Sequence, residues 1–568
     1  MSDNTIGLMG ISSVVFNFFA DSEHFYYLVV YVVSVFFSFP IESLFIPFLT
    51  GKLINILYEL KGGSERKEQI FHIIVLFLVI CVSWVVNATA YSVMDYNDSI
   101  LIPEFSTFLR NYIVEKLYLK YENQFDDINI GSINTKLNLL PHNLSNFLNV
   151  FLNYVFPRIF IIFLIMIYFF YLDIRIGAIL MCGSSLFYIL LKNAIFDCVD
   201  IFVERSNEYE HISEIHKDKI SNLFSIYSSN KMKDEIKENN EIGEDYKKIF
   251  TSSLQCTNKL KIISYVINIL LFFCINATTI YLFLQKKISV GVVISIFMTV
   301  IYLLQYLMDI SYWTPKLVEY YGYIQASEDF MDDLNSIVPD NRPPIRITEG
   351  VIQFIDVSFD YDGHDLFQHI NLTLPANHKI CIVGKSGSGK STFIKLIMGY
   401  YPIKSGSLLI DSQNINDCNV NSIRQHISYV HQNIILFNKT IYENIVYGSP
   451  EHSVPSRERV IEVIHSMNLD KVFQNGIDVG VGVNGNKISG GQKQVVFILR
   501  ELFSDKKIMI LDEPTSALDG EHKQIILEFV KKITGKNVIV ISHDNDFLHY
   551  VDTGYLLKDG HLLPIPIR

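Results

Sequence analysis

Long apolar runs separated by polar stretches occupy residues 25–310, and from residue 350 onward short apolar segments alternate with helix-like ones. The first run is apolar from Phe25 to Phe39 but for Ser34 and Ser38, and continues past Pro40 and Glu42 to residue 48. Further runs lie near residues 70–93, 150–172, 176–191, 262–284 and 290–310. Segments of about twenty apolar residues are long enough to cross a bilayer as helices, so the pattern predicts six spans. Residues 1–22 carry Ile6, Leu8, Met9, Ile11, Val14, Val15, Phe18 and Phe19 at loosely helical spacing, too short to cross, and predict an interfacial helix. Two mixed stretches, 95–149 and 192–261, separate spans two and three and spans four and five. Apolar residues recur in the second at helical intervals (Ile212, Ile215, Ile220, Leu223), which predicts helices projecting into water. An even number of spans puts the N-terminus, both projections and everything after the sixth span on one side of the membrane. A helix continues to about residue 337, and Pro339, Pro343 and Pro344 mark a linker over 338–349. The expected organisation is therefore an interfacial helix at 1–22, a membrane domain over 23–337, the linker, and an α/β domain over 350–568.

Composition fits a membrane portion: 49% of the 568 residues are hydrophobic and mean hydropathy is +0.26, high for a soluble enzyme. The net charge of -12 argues against nucleic acid as a partner, because phosphate backbones need clustered Lys and Arg. Seven cysteines without a C-x-x-C pair predict neither a zinc site nor a disulfide framework. The acidic start of the chain and the lack of a small-residue cleavage pattern predict no cleaved secretory signal. Glu42 stands out, since an ionisable side chain at membrane depth faces a cavity or a partner, unless it sits at the far interface.

Chemistry concentrates in the C-terminal half. Gly384-Lys-Ser-Gly-Ser-Gly-Lys-Ser-Thr392 satisfies every fixed position of a phosphate-binding loop and lies between an apolar strand pattern (Lys379–Val383) and a helix pattern (Phe393–Ile397). Gly384, Gly387 and Gly389 allow a tight turn that aims amide N–H groups inward, with Ser386, Ser388 and Thr392 beside them. Lys390 reaches the terminal phosphates and Ser391 ligates Mg²⁺. ATP and Mg²⁺ are the cofactors this implies. Lys507-Ile-Met-Ile-Leu-Asp-Glu513 is an apolar strand ending in two acids. Asp512 suits the metal shell, and Glu513 suits a general base or water-positioner for attack on the γ-phosphate.

Ile488-Ser-Gly-Gly-Gln492 resembles the LSGGQ signature of ATP-binding cassette (ABC) proteins, and it stands before the Asp-Glu pair as in that family. Two glycines beside a serine at a helix N-terminus make a second anion site. In the family that site, here Ser489, Gly490, Gly491 and Gln492, serves ATP held by the opposite cassette, so a dimer is implied. The resemblance assigns further roles. Tyr361 would stack on adenine, Gln432 would touch Mg²⁺ and couple the cassette to the membrane helices, Asp519 in Ser516-Ala-Leu-Asp519 would cross the dimer interface, and His543 would contact the γ-phosphate. Leu436-Phe-Asn-Lys-Thr-Ile-Tyr-Glu-Asn-Ile445 resembles the exporter version of the loop after that glutamine. One position departs: in Val479-Gly-Val-Gly-Val-Asn-Gly485, Val483 stands where exporters carry a glutamate linked to coupling.

The fold class implied is an all-α six-helix transmembrane domain with long cytoplasmic helical extensions, followed by an α/β P-loop ATPase domain of the ABC type. Its implied function is ATP-driven export by a half-transporter paired with a second copy or a different half. A regulatory or channel-like protein on the same architecture is the alternative. The resemblance also places the cassette and the N-terminus on the ATP-containing side of the membrane. No motif specifies the cargo: aromatic-rich spans suit an amphipathic one such as a lipid, drug or peptide, while Glu42 and Arg158 would serve a polar or anionic one.

Overall fold

The computed structural model describes residues 13–59, 65–121, 130–335, 340–361, 364–431, 434–504, 506–515, 518, 520–543 and 545–566. The chain divides into an N-terminal helical unit and a C-terminal unit at residues 337/338.

The helical unit opens with residues 13–19, whose Val14 and Phe18 are buried against Leu101, Phe105 and Leu109. Helix α1 (Ser22–Pro40) starts where the Asp21 carboxylate accepts the Glu23 N–H, a side-chain N-cap. It passes through a π-turn (Ile41–Phe45) into α2 (Ile46–Tyr58). Helix α3 (Glu65–Tyr121) runs for 57 residues. Helix α4 (Ile130–Val150) and α5 (Phe156–Leu172) are joined by a second π-turn at Phe151–Val155. Then come α6 (Ile174–Ser221), the short α7 (Leu223–Ser228), α8 (Met232–Leu284), α9 (Val290–Gln325) and α10 (Glu328–Asn335). Five helical stretches among the described residues are long and apolar enough to cross a membrane. The fourth predicted span falls in Ile174–Leu190, a shorter apolar stretch that continues unbroken as the polar part of α6. The helix expected to run on to residue 337 instead ends at Gln325 and restarts at Glu328.

Both π-turns lie next to prolines, Pro40 and Pro157, and the second shows why its surroundings are polar. Pro157 has no N–H to donate back along the helix, so carbonyls one turn earlier need other donors in a medium without water. The Tyr31 hydroxyl donates to the Leu152 carbonyl at 2.6 Å, and the Arg158 guanidinium donates to the Asn153 carbonyl. Arg158 also meets Asp309 of α9 at 3.2 Å and packs its guanidinium over Phe39 and Tyr154. At the first π-turn the Tyr91 hydroxyl of α3 donates to Glu42 at 2.6 Å. Glu42 is thus partnered inside the bundle.

Helices α2 and α9 touch backbone to backbone. A Cβ placed on Gly51 would strike the Gly291 carbonyl, and one on Gly291 would strike the Gly51 carbonyl. The contact is fixed by Asn55, which donates to the Ser289 hydroxyl at 2.8 Å and accepts the Gly291 N–H at 2.6 Å, so that it caps α9 from a neighbouring helix. Gly51→Leu is expected to lower stability by about 1–3 kcal/mol through overpacking, read as a lower unfolding temperature in detergent, with Gly51→Ala shifting it less.

The cysteine expectation is corrected. Cys198 of α6 and Cys256 of α8 form a disulfide across 58 residues of sequence. The two helices run antiparallel through the connection at residues 222–231, which brings distant positions side by side, and no local spacing rule sees such a pair.

In the C-terminal unit a six-stranded sheet has the order β10-β9-β3-β8-β7-β6, formed by His561–Ile565, Thr553–Lys558, Lys379–Val383, Asn537–Ser542, Ile508–Asp512 and Ile427–Val430. All neighbours pair in parallel except β10. A second, antiparallel sheet has the order β2-β1-β4-β5, from His364–Leu374, Ile352–Tyr361, Ser405–Ile410 and Gln413–Asn414. Alternate residues of the central strands enter two different cores. Ile380, Ile382, Ile508, Ile510, Ile539 and Ile541 face one, while Cys381, Val383, Met509, Leu511, Val538 and Val540 face the other. A sheet covered on both faces has to be apolar at every position, which is why these strands read as unbroken hydrophobic runs.

Candidate nucleotide site

Strands β3, β7 and β8 are parallel neighbours, so their C-terminal ends emerge along one edge of the sheet. Ligands of open α/β sheets bind at such an edge, and here it carries most of the residues singled out above. After β3 the loop turns through Gly387 and Gly389, with φ of +79° and +96°, into α11 (Lys390–Ile397). At Gly389 glycine is required on two grounds: the backbone is left-handed, and a Cβ would stand 3.0 Å from the Phe367 ring. Lys390 is buried, and its Nζ donates to the carbonyls of Gly384 at 2.9 Å and Lys385 at 3.0 Å, closing the loop on itself. The Ser388 hydroxyl is buried without a hydrogen-bond partner. Such a group is costly unless something fills its valence, and a phosphate oxygen would do so. Ser391 and Ser386 are exposed, and Thr392 is half-buried.

Asp512 ends β7 almost fully buried, its carboxylate accepting from the Tyr429 hydroxyl at 3.1 Å. Burial pushes this carboxyl above the usual range, and the neighbouring Glu513 adds to the effect, while Tyr429 and Lys390 oppose it. A buried carboxylate short of positive charge suits a metal ion in its shell. The next residue, Glu513, has φ of +49°, unusual for a side chain of this size. Its N–H donates to the Ile541 carbonyl of β8 at 2.8 Å, and its own carbonyl accepts from Gln494 at 3.2 Å. These bonds hold the turn and direct the carboxylate toward His543 at the end of β8, with His543 Nδ1 and Glu513 Oε1 separated by 3.4 Å.

The signature forms a reciprocal cap. Ser489 precedes α12 (Gly490–Phe503), its hydroxyl accepts the Gln492 N–H at 3.1 Å, and the Gln492 side-chain oxygen accepts the Ser489 N–H at 2.9 Å. Gln492 Nε2 also donates to the Val472 carbonyl at 2.7 Å. Ser489 and Gly490 are exposed, so the N-terminus of α12 opens outward. Gly491 is hemmed in by Leu518. Tyr361 is the last residue of β1 and pairs with His364. Gln432, Ser516 and Asp519 lie outside the described residues. Val483 is exposed.

One residue escaped the motif reading. Arg500, on the buried face of α12, donates to the Asn444 backbone carbonyl at 2.7 Å and to its side-chain oxygen at 2.8 Å. Asn444 in turn bonds both the N–H and the carbonyl of Phe437 at 3.0 Å. The signature helix thereby holds the loop that follows position 432. Burial, with a smaller push from Arg500, lowers the His431 pKa, so the imidazole packed on Phe497 stays neutral. An arginine in the run Val495-Val-Phe-Ile-Leu-Arg500 was the available signal, since a buried charge must have partners. Arg500→Ala is expected to cost about 2 kcal/mol by leaving Asn444 short of donors, with Arg500→Lys recovering only part; calorimetric unfolding measures both.

Comparison with known proteins agrees with this geometry. Residues 25–307 match the family described as ABC transporter transmembrane region, and residues 367–516 match the family described as ABC transporter. The ATP-dependent lipid A-core flippase of Albidiferax ferrireducens is 38% identical over 248 residues, covering 42% of each chain. That of Mannheimia succiniciproducens is 31% identical over 285 residues, 49% of this chain and 48% of the relative. The chain thus spans under half the length of the curated relatives it matches. A bacterial Atm1-family ABC exporter solved with ATP bound superposes with a TM-score of 0.83 over 95% of both chains, at 20% identity, which establishes the shared fold. With one transmembrane region and one cassette matched in a single polypeptide, the chain belongs to the ABC transporter family and has the half-transporter arrangement of its exporters.

Proposed function

We propose that the chain is one half of a dimeric, ATP-driven exporter. The observation that carries this reading is the convergence of the Gly384–Lys390 loop, Asp512, Glu513 and His543 on one sheet edge, in a chain that also carries the membrane helices. The backbone N–H groups of the loop and Lys390 would hold the β- and γ-phosphates, and Ser391, Asp512 and Gln432 would hold Mg²⁺. The metal supplies charge neutralisation at the transferring phosphoryl group. Glu513 orients and deprotonates the attacking water, and His543 keeps the carboxylate directed and contacts the γ-phosphate side of the site. Tyr361 would stack on the base. The outward-facing cap of Ser489–Gln492, with Asp519, completes the site of a second chain, and two identical halves suffice because each carries the whole motif set. Closure of the paired cassettes on ATP would drive the spans from inward- to outward-facing, with hydrolysis resetting them. Relatives named lipid A-core flippases favour an amphipathic, lipid-like cargo. The cassette and both helical projections belong on the ATP-containing side.

The test is ATP-dependent movement of a labelled lipid between leaflets of sealed proteoliposomes. Flux that follows ATP and stops in Glu513→Gln is expected. Ion currents in a planar bilayer without such flux would establish a channel instead.

A further inference from the structure

The cassette joins the helical unit through one stretch of chain, and that stretch is fixed at both ends. On the cassette side the backbone is bonded down from Asp340 onward. The Asp340 carboxylate accepts the Val420 N–H at 3.1 Å, and its carbonyl accepts the Asn419 side-chain amide at 2.7 Å. The Asn419 N–H donates to the Pro343 carbonyl at 2.8 Å, and the Ile345 N–H donates to the Ser422 hydroxyl at 2.8 Å. Ile345 and Ile347 are buried in the cassette core. The Asp411 carboxylate accepts the N–H groups of Thr348, Glu349, Gly350 and Val351.

On the membrane side the chain is held as far as Asn335. Leu109, Ile113, Leu117 and Lys120 recur every three or four residues, along one face of α3. Met331 and Leu334 of α10 are buried in the same apolar cluster as those three hydrophobic residues. Polar contacts fix the direction of α10 on that face. Lys120 Nζ donates to the Asp333 carboxylate, and the Tyr112 hydroxyl donates to Asn335 Oδ1 at 2.8 Å. The Lys120 side chain is only 16% exposed, so Asp333 replaces much of its water. Lys136 of α4 lies over the Phe330 ring at 5.4 Å. Residues 336–339 are all that separates the two anchorages, and a connection this short reaches about 18 Å at full extension. Cassette displacement beyond that reach is passed to α10, and from there to α3 and α4.

We propose that α10 is a clamp that makes the membrane helices follow the cassette of the same chain, with Lys120, Asp333, Tyr112 and Asn335 as its positioning residues. The clamp takes its purpose from the exporter reading and adds a covalent route of coupling to it. None of the four residues belongs to the nucleotide site, so breaking the clamp separates ATP hydrolysis from movement of the helices.

Reconstituted full-length protein gives the test, with intrinsic fluorescence as a readout that needs no cargo. Both tryptophans of the chain, Trp84 on α3 and Trp313 on α9, lie in the helical unit. Trp313 stacks on Tyr154 of the second π-turn at 4.0 Å. MgATP bound at the cassette is therefore expected to change tryptophan emission through movement of the membrane helices. Lys120→Glu, which sets two carboxylates against each other, should lower that change by roughly threefold while ATPase activity stays near the parent's. A flexible Gly-Ser insertion of about six residues after residue 337 should do the same by lengthening the connection. Asp333→Lys added to Lys120→Glu remakes the pair with its charges exchanged and should recover the signal. An emission change of parental size in Lys120→Glu or in the insertion variant would overturn the clamp, as would a parent that hydrolyses ATP with no change in emission. Loss of ATPase activity together with the signal, without recovery in the exchanged pair, would also overturn it, since the pair would then serve only to hold the fold. An intact signal in a parent that moves no labelled lipid would instead remove the exporter reading and leave the clamp standing.

Discussion

Glu513→Gln lowers ATP turnover by roughly 10²- to 10³-fold while nucleotide stays bound, the loss expected when a general base is replaced by a group of the same shape. The substitution keeps the backbone turn, because the bonds that fix it run through the Glu513 N–H and carbonyl rather than through the side chain. It removes only the carboxylate that faces His543 at 3.4 Å. The account therefore predicts separation of two quantities usually lost together: hydrolysis collapses, and the closed ATP-bound dimer accumulates. Phosphate release and trapped nucleotide, measured on the same preparation, read both. Near-normal turnover in this variant would remove Glu513 from the reaction.

Lys390→Ala acts one step earlier. In the structure Lys390 closes the loop through the carbonyls of Gly384 and Lys385, and the Ser388 hydroxyl waits beside it without a partner. Removing the ammonium takes away the charge-assisted bonds to phosphate and loosens the loop that presents the amides. A fall of about a hundredfold in nucleotide affinity is expected, equivalent to about 2.7 kcal/mol. The direct readout is the unfolding temperature: ATP raises it in the parent protein by mass action, and the variant needs about a hundredfold more ATP for the same rise.

The cassette was legible in the sequence because its chemistry is local. A phosphate loop needs glycines at fixed intervals, and a sheet buried on both faces must be written as apolar runs, so residues 379–392 and 507–513 declare both motif and fold. The anchoring of the loop after position 432 was not legible, since Arg500 and Asn444 meet only after α12 packs against that loop. The membrane half was legible in its spans and not in its partners. Glu42 and Arg158 stood out as ions in apolar runs, but Tyr91, Asp309 and the orphaned carbonyls beside Pro157 come from other helices or from a helix defect. The Cys198–Cys256 bond is the clearest case, a pairing set wholly by how two antiparallel helices align. Val483 is exposed, so the departure there leaves an apolar side chain on the surface.

The central claim is that each nucleotide site is shared between two chains, the loop around Lys390 from one and the cap around Ser489 from the other. Chains carrying Lys390→Ala and chains carrying Ser489→Arg should each be inactive alone. Co-reconstituted, they form mixed dimers in which one site combines both lesions and the other combines an intact loop with an intact cap. ATPase activity measured across mixing ratios is the decisive quantity. Recovery that peaks near equal amounts is predicted by the shared site, and a mixture as inactive as either parent would contradict it.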